Sequence, residues 1–183
     1  MQPRRDDTGF ELDYLWHGLP GHPVHPPLTD VTIGAYTFAL IAMIADVLNI
    51  STNAAAHGWW LALIVGLIMT LPTAFTGFAD WLRITTGTPL WRTATAHMIT
   101  NLLTAAVFLA AAIIGKSSFD SGDIEAAPAV LTVIGFLMLT LGGWLGGTIT
   151  YVHGMRVLNL VDEPARRASA PVPSPEKKEA EGE

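Results

Sequence analysis

Cysteine is absent from this 183-residue chain, and charged residues are scarce and unevenly placed. The lack of cysteine excludes disulfides, thiolate metal ligands, iron–sulfur clusters held by this chain and cysteine nucleophiles. Charged side chains make up 14% of the residues, whereas a soluble domain has about 25%. Seventeen of the 26 charged residues lie outside the stretch from Pro27 to Met155. Long segments with so little charge exclude an ordinary water-soluble domain.

Four long apolar segments fill the central region, at about residues 28–50, 59–82, 94–114 and 127–152. A membrane helix needs about 20 mostly apolar residues to cross roughly 30 Å of hydrocarbon. The segments lack the alternation of strands, and backbone groups in lipid must be hydrogen-bonded within the chain, so helices are expected. The sequence therefore predicts an all-α fold, an integral membrane four-helix bundle surrounded by the lipid bilayer.

The two ends of the chain have a different composition. Residues 1–27 are predicted to form a cytoplasmic and interfacial N-terminal segment, because the prolines that follow His17 prevent a long helix. Residues 28–156 are predicted to form the membrane domain. Residues 157–183 are rich in Pro, Ala, Ser, Glu and Lys and are predicted to be a flexible cytoplasmic tail. A tail that docks on a partner is the alternative.

Lysine and arginine near the helix ends predict the orientation. With four spans, both termini and the loop between spans two and three lie on one side, which holds Arg4, Arg5, Arg83, Arg92, Arg156, Arg166, Arg167, Lys177 and Lys178. The other side holds only Lys116. Both termini are therefore predicted to be cytoplasmic.

Polar and aromatic residues from every span collect at this predicted cytoplasmic end. Ionisable groups in or near lipid are costly, so each is a candidate for function. Asp80 ends span two, while His97 and Asn101 lie on one face of span three. This pair of side chains predicts either a structural polar network, a metal or haem site, or a proton-transfer site. The predicted network comprises Asp30, Asp80, Arg83, Arg92 and Asn101.

The segment before span one contains His22-Pro-Val-His25, which places two imidazoles three residues apart on a stiffened backbone. Spacing of this kind can chelate a metal ion, and the alternative is a rigid interfacial entry to span one. The candidate metal ligands are His22, His25, His97 and Asp80, with neutral imidazoles as the principal donors. The candidate haem ligands are His97, His25 and His153.

Span four carries four glycines, at positions 142, 143, 146 and 147, in two overlapping Gly-x-x-x-Gly patterns. Gly142, Gly143, Gly146 and Gly147 are predicted to let another helix approach closely. That helix would belong either to the same bundle or to a second copy in a homodimer. A third interpretation is a groove for a flat cofactor such as haem.

Several of these features together resemble a known family. The His-Pro-x-His-Pro entry at His22–Pro26 precedes span one, and Thr76-Gly77-Phe78-Ala79-Asp80-Trp81 ends span two. Span three opens with Arg92, His97 and Asn101, and span four ends in Tyr151-Val152-His153-Gly154. From Trp16 to Arg156 the chain resembles a bacterial four-span membrane family, domain of unknown function 2231. The resemblance implies a bacterial inner-membrane location and a weak link to redox proteins.

Three functions remain open at this point. The first is a redox-linked subunit that binds haem b or a metal ion, with a membrane or redox protein as partner. The second is a non-catalytic accessory or structural subunit of a larger complex, and the third is a small transporter or proton pathway. No reaction is indicated, because phosphate-binding loops, serine elbows and zinc-protease helices are absent. Nothing indicates nucleic-acid binding, since no basic aromatic surface is present.

Overall fold

A computed structural model describes Gly18, residues 22–155 and Val157, and it shows an all-α bundle. Four of its helices are long and apolar enough to cross a membrane. The helices are α1 His25–Val47, α2 Thr52–Trp81, α3 Pro89–Ile114, the short α4 Lys116–Ser121, and α5 Ala126–Gly147, which continues as a π-helical turn over Thr148–Val152. The shortest span has 23 residues, and at about 1.5 Å per residue it is long enough for the hydrocarbon core.

Several helix boundaries differ from those that hydropathy predicts; α3, for example, begins at Pro89 rather than at about residue 94. Helix α1 begins at His25, before the two prolines, because the first turn of a helix needs no N–H donors and accepts proline there. Helix α2 begins at Thr52, seven residues early, since Ala54–Ala56 are good helix formers. The predicted turn between spans three and four contains the short helix α4, which ends at Ser121 and is followed by Gly122 with a positive φ of 76°. The tail predicted at 157–183 lies outside the described residues except for Val157.

The four spans form a ring in the order α1, α2, α3, α5. Helix α1 packs mainly on α2, and α3 mainly on α5, while contacts of α2 with α3 and of α1 with α5 join the two pairs. Helices α1 and α3 are therefore diagonally opposite, as are α2 and α5. Large apolar side chains such as Leu71, Ile113 and Leu137 are exposed on the outside, where lipid covers them in a membrane.

A layer of two glycines and two aromatic rings crosses the middle of the bundle. The Tyr36 ring from α1 stacks on the Phe108 ring from α3, with 4.0 Å between ring centroids and an interplanar angle of 11°. A Cβ atom on Gly66 of α2 would come within 2.5 Å of the Tyr36 ring, and one on Gly135 of α5 within 2.8 Å of the Phe108 ring. Glycine at both ends of the stack thus lets each ring lie against a backbone, and all four helices are held in register.

Two buried polar contacts lie at the end of the bundle where α1 ends and α2 begins. The Trp59 indole of α2 donates a 3.0 Å hydrogen bond to Thr132 Oγ1 of α5, and both side chains are buried. The Asp46 carboxylate of α1 accepts a 3.1 Å hydrogen bond from the backbone N–H of Ile124 through Oδ2. Its Oδ1 is buried without a hydrogen-bond partner. The first bond joins α2 to α5, and the second attaches the loop before α5 to the end of α1.

Candidate functional site

A second layer, which like the aromatic layer consists of two rings packed against two glycines, lies where α1 begins and α2 ends. We call its members the histidine layer: Gly77, His25, His97 and Gly146. A Cβ atom on Gly77 would come within 2.7 Å of His25 Cε1, and one on Gly146 within 3.1 Å of His97 Cε1. As in the aromatic layer, each ring lies against a glycine of the neighbouring helix.

The two layers are related by the same step on every helix. The histidine layer lies eleven residues from the aromatic layer on α1 (Tyr36 to His25), α2 (Gly66 to Gly77), α3 (Phe108 to His97) and α5 (Gly135 to Gly146). Eleven residues make about three helical turns, or roughly 16 Å along the bundle. Three turns bring each side chain back to nearly the same direction, so His25 and His97 occupy the inward positions that Tyr36 and Phe108 occupy in the middle.

The hydrogen bond of His25 fixes which ring nitrogen carries the proton. Nδ1 of His25 lies 3.0 Å from the backbone carbonyl oxygen of Thr73 and 3.2 Å from Thr76 Oγ1, both on α2. A carbonyl oxygen can only accept, so Nδ1–H is the donor. In the neutral ring the lone pair is then on Nε2, which is the nitrogen that can bind a metal or a proton.

His97 is held in the same way on the other side of the bundle. Its Nδ1 lies 2.9 Å from the carbonyl oxygen of Gly142 on α5, so Nδ1–H again donates and Nε2 carries the lone pair. The Asn101 amide nitrogen donates a 2.8 Å hydrogen bond to the His97 carbonyl oxygen, and the same nitrogen lies 3.2 Å from Nδ1 and 3.4 Å from Nε2 of the His97 ring. Both histidines are therefore oriented through Nδ1, as metal-binding histidines commonly are by an outer partner.

Asp80 connects the histidine layer with an open cleft. The Asp80 side chain is buried, and Asp80 lies about one helical turn beyond Gly77, the glycine against which the His25 ring packs. Asp80 also lines a cleft of about 470 Å³ beside Arg83 and Leu90. The cleft lies where α2 ends and α3 begins.

The other predicted site residues lie farther from this layer. His153 follows the π-helical turn, and its Nε2 is 3.1 Å from Thr93 Oγ1 of α3. His22, Asp30 and Arg92 are exposed. Among the described residues, no group of three His, Asp or Glu side chains is arranged to hold a metal ion. The histidine layer thus offers two imidazoles rather than a closed set of metal ligands.

The four glycines of α5 divide into two pairs. A Cβ atom on Gly142 would come within 2.6 Å of the Asn101 side chain, and Gly146 lies against His97, so this pair faces α3. Gly143 has no atom of another residue near its would-be Cβ, and Gly147 has only Tyr151 of its own chain segment at 3.9 Å. The space beside Gly142 and Gly146 is occupied by side chains of α3, so a flat cofactor does not lie directly against these glycines.

Sequence reasoning missed a set of hydroxyl contacts between α1 and α2. Thr32 Oγ1 lies 3.1 Å from Thr73 Oγ1, and the Tyr36 hydroxyl lies 3.0 Å from Thr70 Oγ1. With the His25–Thr76 contact they line the α1–α2 interface from the histidine layer to the aromatic layer. The available signal was the spacing of Thr70, Thr73 and Thr76, which repeats every three residues and therefore marks one helix face.

The model of one protein family, described as a predicted membrane protein (DUF2231), matches residues 21–159. The match covers all four spans and both histidines of the histidine layer. Neither the search of curated proteins nor the search of solved structures finds a match.

Proposed function

The chain belongs to DUF2231, a family of predicted membrane proteins, and on that premise we propose that it is a redox-linked membrane subunit whose His25 and His97 bind a haem b or a metal ion. The observation that carries this proposal is the shared orientation of the two imidazoles. Each donates Nδ1–H to a backbone carbonyl of the neighbouring helix, which leaves Nε2 as the ligand atom.

The donor set fits haem better than a protein-bound metal ion alone. Haem iron takes two axial ligands, and histidine is a common one. A structural metal site normally needs four protein ligands, and a catalytic one three. The histidine layer supplies two imidazoles from diagonally opposite helices, so His25 and His97 would be the residues that hold a haem. A bound haem would supply one-electron redox chemistry.

The rest of the chain would hold such a group. Thr73 and Gly142 orient the two rings through their carbonyl oxygens. Asp80, which is buried about one helical turn from Gly77, would stabilise positive charge on the cofactor or on a histidine.

The test is the visible spectrum of the detergent-purified protein, oxidised and dithionite-reduced, with haem and metal content measured on the same sample. We expect a Soret band that shifts on reduction and about one haem per chain. His25→Ala and His97→Ala should each lower the haem content several-fold, whereas His57→Ala should not. His57 is a suitable control because it lies in α2 at the opposite end and bonds the carbonyl of Asn53.

Three results would change or overturn the assignment of a haem to His25 and His97. Stoichiometric metal without a Soret band, lost in His25→Ala and His97→Ala, would replace haem with a metal ion. Loss of haem in His153→Ala but not in His25→Ala would move the ligand pair to His97 and His153. A colourless, metal-free protein from cells with ample haem would overturn the proposal.

A non-catalytic accessory subunit is the second candidate. Gly143 and Gly147 favour it, because they lie on the outside of the bundle, where small residues let a helix of another chain or of a second copy approach. Co-purification of a larger complex with no cofactor on this chain would support it. A haem-containing monomer would count against it.

We further propose that the histidine layer lies at the cytoplasmic face of a bacterial inner membrane. Arg83 and Arg92 flank the α2–α3 loop at that end, while Lys116 is at the other. Because the chain has no cysteine, single cysteines report orientation cleanly. In intact cells an impermeant thiol reagent should label Ser117→Cys and spare Thr86→Cys, and the reverse would refute the orientation.

A further inference from the structure

The two helical hairpins of the bundle carry matching residues at corresponding inward positions. We call α1 with α2 the first hairpin and α3 with α5 the second hairpin. The counterpart of an α1 position lies 72 residues later in α3, and the counterpart of an α2 position lies 69 residues later in α5. Identical or closely similar residues occur at these spacings in the pairs His25 and His97, Thr32 and Thr104, Tyr36 and Phe108, Ala39 and Ala111, Gly66 and Gly135, and Gly77 and Gly146.

The hydrogen bonds that orient the two imidazoles are the same in both hairpins. His25 donates Nδ1–H to the carbonyl oxygen of Thr73 over 3.0 Å, and His97 donates Nδ1–H to that of Gly142 over 2.9 Å. Thr73 and Gly142 are counterparts, since they are 69 residues apart. Each histidine therefore takes its acceptor and its packing glycine from the other helix of its own hairpin.

The residues one and two turns after each histidine also correspond. Thr29 Oγ1 donates a 3.0 Å hydrogen bond to the carbonyl oxygen four residues earlier, and the Asn101 amide nitrogen donates a 2.8 Å bond to the corresponding oxygen. One turn deeper, Thr32 and Thr104 are both buried, and their hydroxyls donate in the same way over 3.2 and 2.8 Å. The correspondence thus extends from the histidine layer to the aromatic layer.

The direction of the helices defines how the hairpins are related. Helices α1 and α3 both run from the histidine layer to the aromatic layer and lie diagonally opposite, so half a turn about an axis along the bundle exchanges the hairpins. We propose that the membrane domain is a tandem duplication of one helical hairpin, and that the histidine layer is a two-fold site on this axis with one equivalent imidazole from each hairpin. Membrane proteins built from parallel repeats can likewise bind ligands where the repeats meet.

A two-fold site restricts the ligand to one that bridges the hairpins. Each hairpin is closely packed within itself, and the histidine layer takes one ring from each. The ligand class is therefore a metal centre that accepts two imidazoles, one from each side. A chelate within one hairpin, such as His22 with His25, does not meet this condition. The duplication does not rest on the proposed function, whereas ligation of a haem by two equivalent histidines does.

A hydrogen bond that only the first hairpin makes provides a test. The Tyr36 hydroxyl lies 3.0 Å from Thr70 Oγ1, and the counterparts of these residues are Phe108 and Leu139, which are both buried. If the hairpins are equivalent, Phe108→Tyr and Leu139→Thr place two hydroxyls within hydrogen-bonding distance. Unfolding of the full-length protein in mixed detergent micelles should show favourable coupling of the two substitutions, roughly fivefold or more in the unfolding equilibrium constant.

Two further double-mutant cycles serve as reference and control. Tyr36→Phe with Thr70→Val removes the native bond and gives the reference coupling. Phe108→Tyr with Leu137→Thr is the matched control, because Leu137 is exposed on the outside of the same helix, and we expect no coupling there. Absence of coupling between Phe108→Tyr and Leu139→Thr, or equal coupling in the control, would overturn the duplication.

Spin-label distances test the same relation without changing the core. Ile41, Ile68, Ile113 and Leu137 are exposed on the outside of the bundle, and the chain has no cysteine, so pairs of introduced cysteines can be labelled cleanly. The pair at 41 and 68 should give the same distance as its counterpart at 113 and 137. The pair at 41 and 137 should match the pair at 68 and 113. A clear difference within either comparison would overturn the two-fold relation.

Haem content tests the shared site separately. His25→Ala and His97→Ala should lower it to the same extent, and loss in only one of them would overturn the equivalence of the two ligands. A colourless protein in which Phe108→Tyr and Leu139→Thr are coupled would support the duplication and overturn haem ligation. A haem protein in which they are not coupled would overturn the duplication and leave the proposed function standing.

Discussion

Substitution of Gly135 by alanine tests how the aromatic layer sets the register of the helices. The added Cβ would lie 2.8, 2.9 and 3.0 Å from three ring carbons of Phe108. That ring has no room to yield, because it is fully buried and its other face stacks on Tyr36 at 4.0 Å. Overpacking of this kind costs about 1–3 kcal/mol.

Gly143→Ala provides the matched control on the same helix. Its Cβ would meet nothing within 4 Å. Exchange of glycine for alanine in a helix favours the helix by about 1 kcal/mol in soluble hosts, and this gain is common to both variants. Gly135→Ala should therefore be less stable than Gly143→Ala by about 1–3 kcal/mol.

The assay is reversible unfolding in mixed dodecylmaltoside–dodecyl sulfate micelles, followed by circular dichroism. A difference of about 1.4 kcal/mol corresponds to a tenfold change in the unfolding equilibrium constant, which this titration resolves. If Gly135→Ala is as stable as Gly143→Ala or more stable, the two rings do not fill the layer as described. The repeat that places His25 and His97 opposite each other would then lose its support.

Two further predictions concern the end of the bundle away from the histidines, and the same unfolding assay checks both. Trp59→Phe leaves Thr132 Oγ1 without the indole donor in a buried position, which should lower stability by about 1–2 kcal/mol; a change below about 0.3 kcal/mol would show that the bond is not needed. Asp46→Asn keeps an oxygen for the Ile124 N–H while removing a buried carboxylate that has one unpartnered oxygen, so it should be as stable as the wild type or more stable. A loss above about 1 kcal/mol would instead indicate that the charge of Asp46 is required.

The architecture followed from the sequence because it depends on one strong signal. Four apolar stretches of membrane length predict four helices whatever their packing, and the family resemblance through His22–Pro26 and Asp80 pointed to the same conclusion. Helix ends were less accurate, because Pro26 and Pro27 look like breakers in a sequence but are compatible with the first turn of α1.

The site was only partly predictable, because helix rotation cannot be read from hydropathy. The spacing of His97 and Asn101 places them on one helix face, and in the structure the Asn101 side chain lies against His97. The place of His25 and His97 in one layer depends on the packing of each ring against a glycine of a neighbouring helix, which the sequence does not show. The eleven-residue step was visible in the sequence only after the contacts of Tyr36 had shown which positions to compare.

The proposal that His25 and His97 bind one haem iron is tested most directly by the electron paramagnetic resonance spectrum of the oxidised, haem-loaded protein. Two imidazoles on one iron predict a low-spin ferric signal, because both axial positions carry strong nitrogen ligands. His25→Ala and His97→Ala should each convert the residual signal to high spin, and His57→Ala should leave it low-spin. A high-spin signal in the wild type, or a low-spin signal that survives both substitutions, would contradict ligation by this pair.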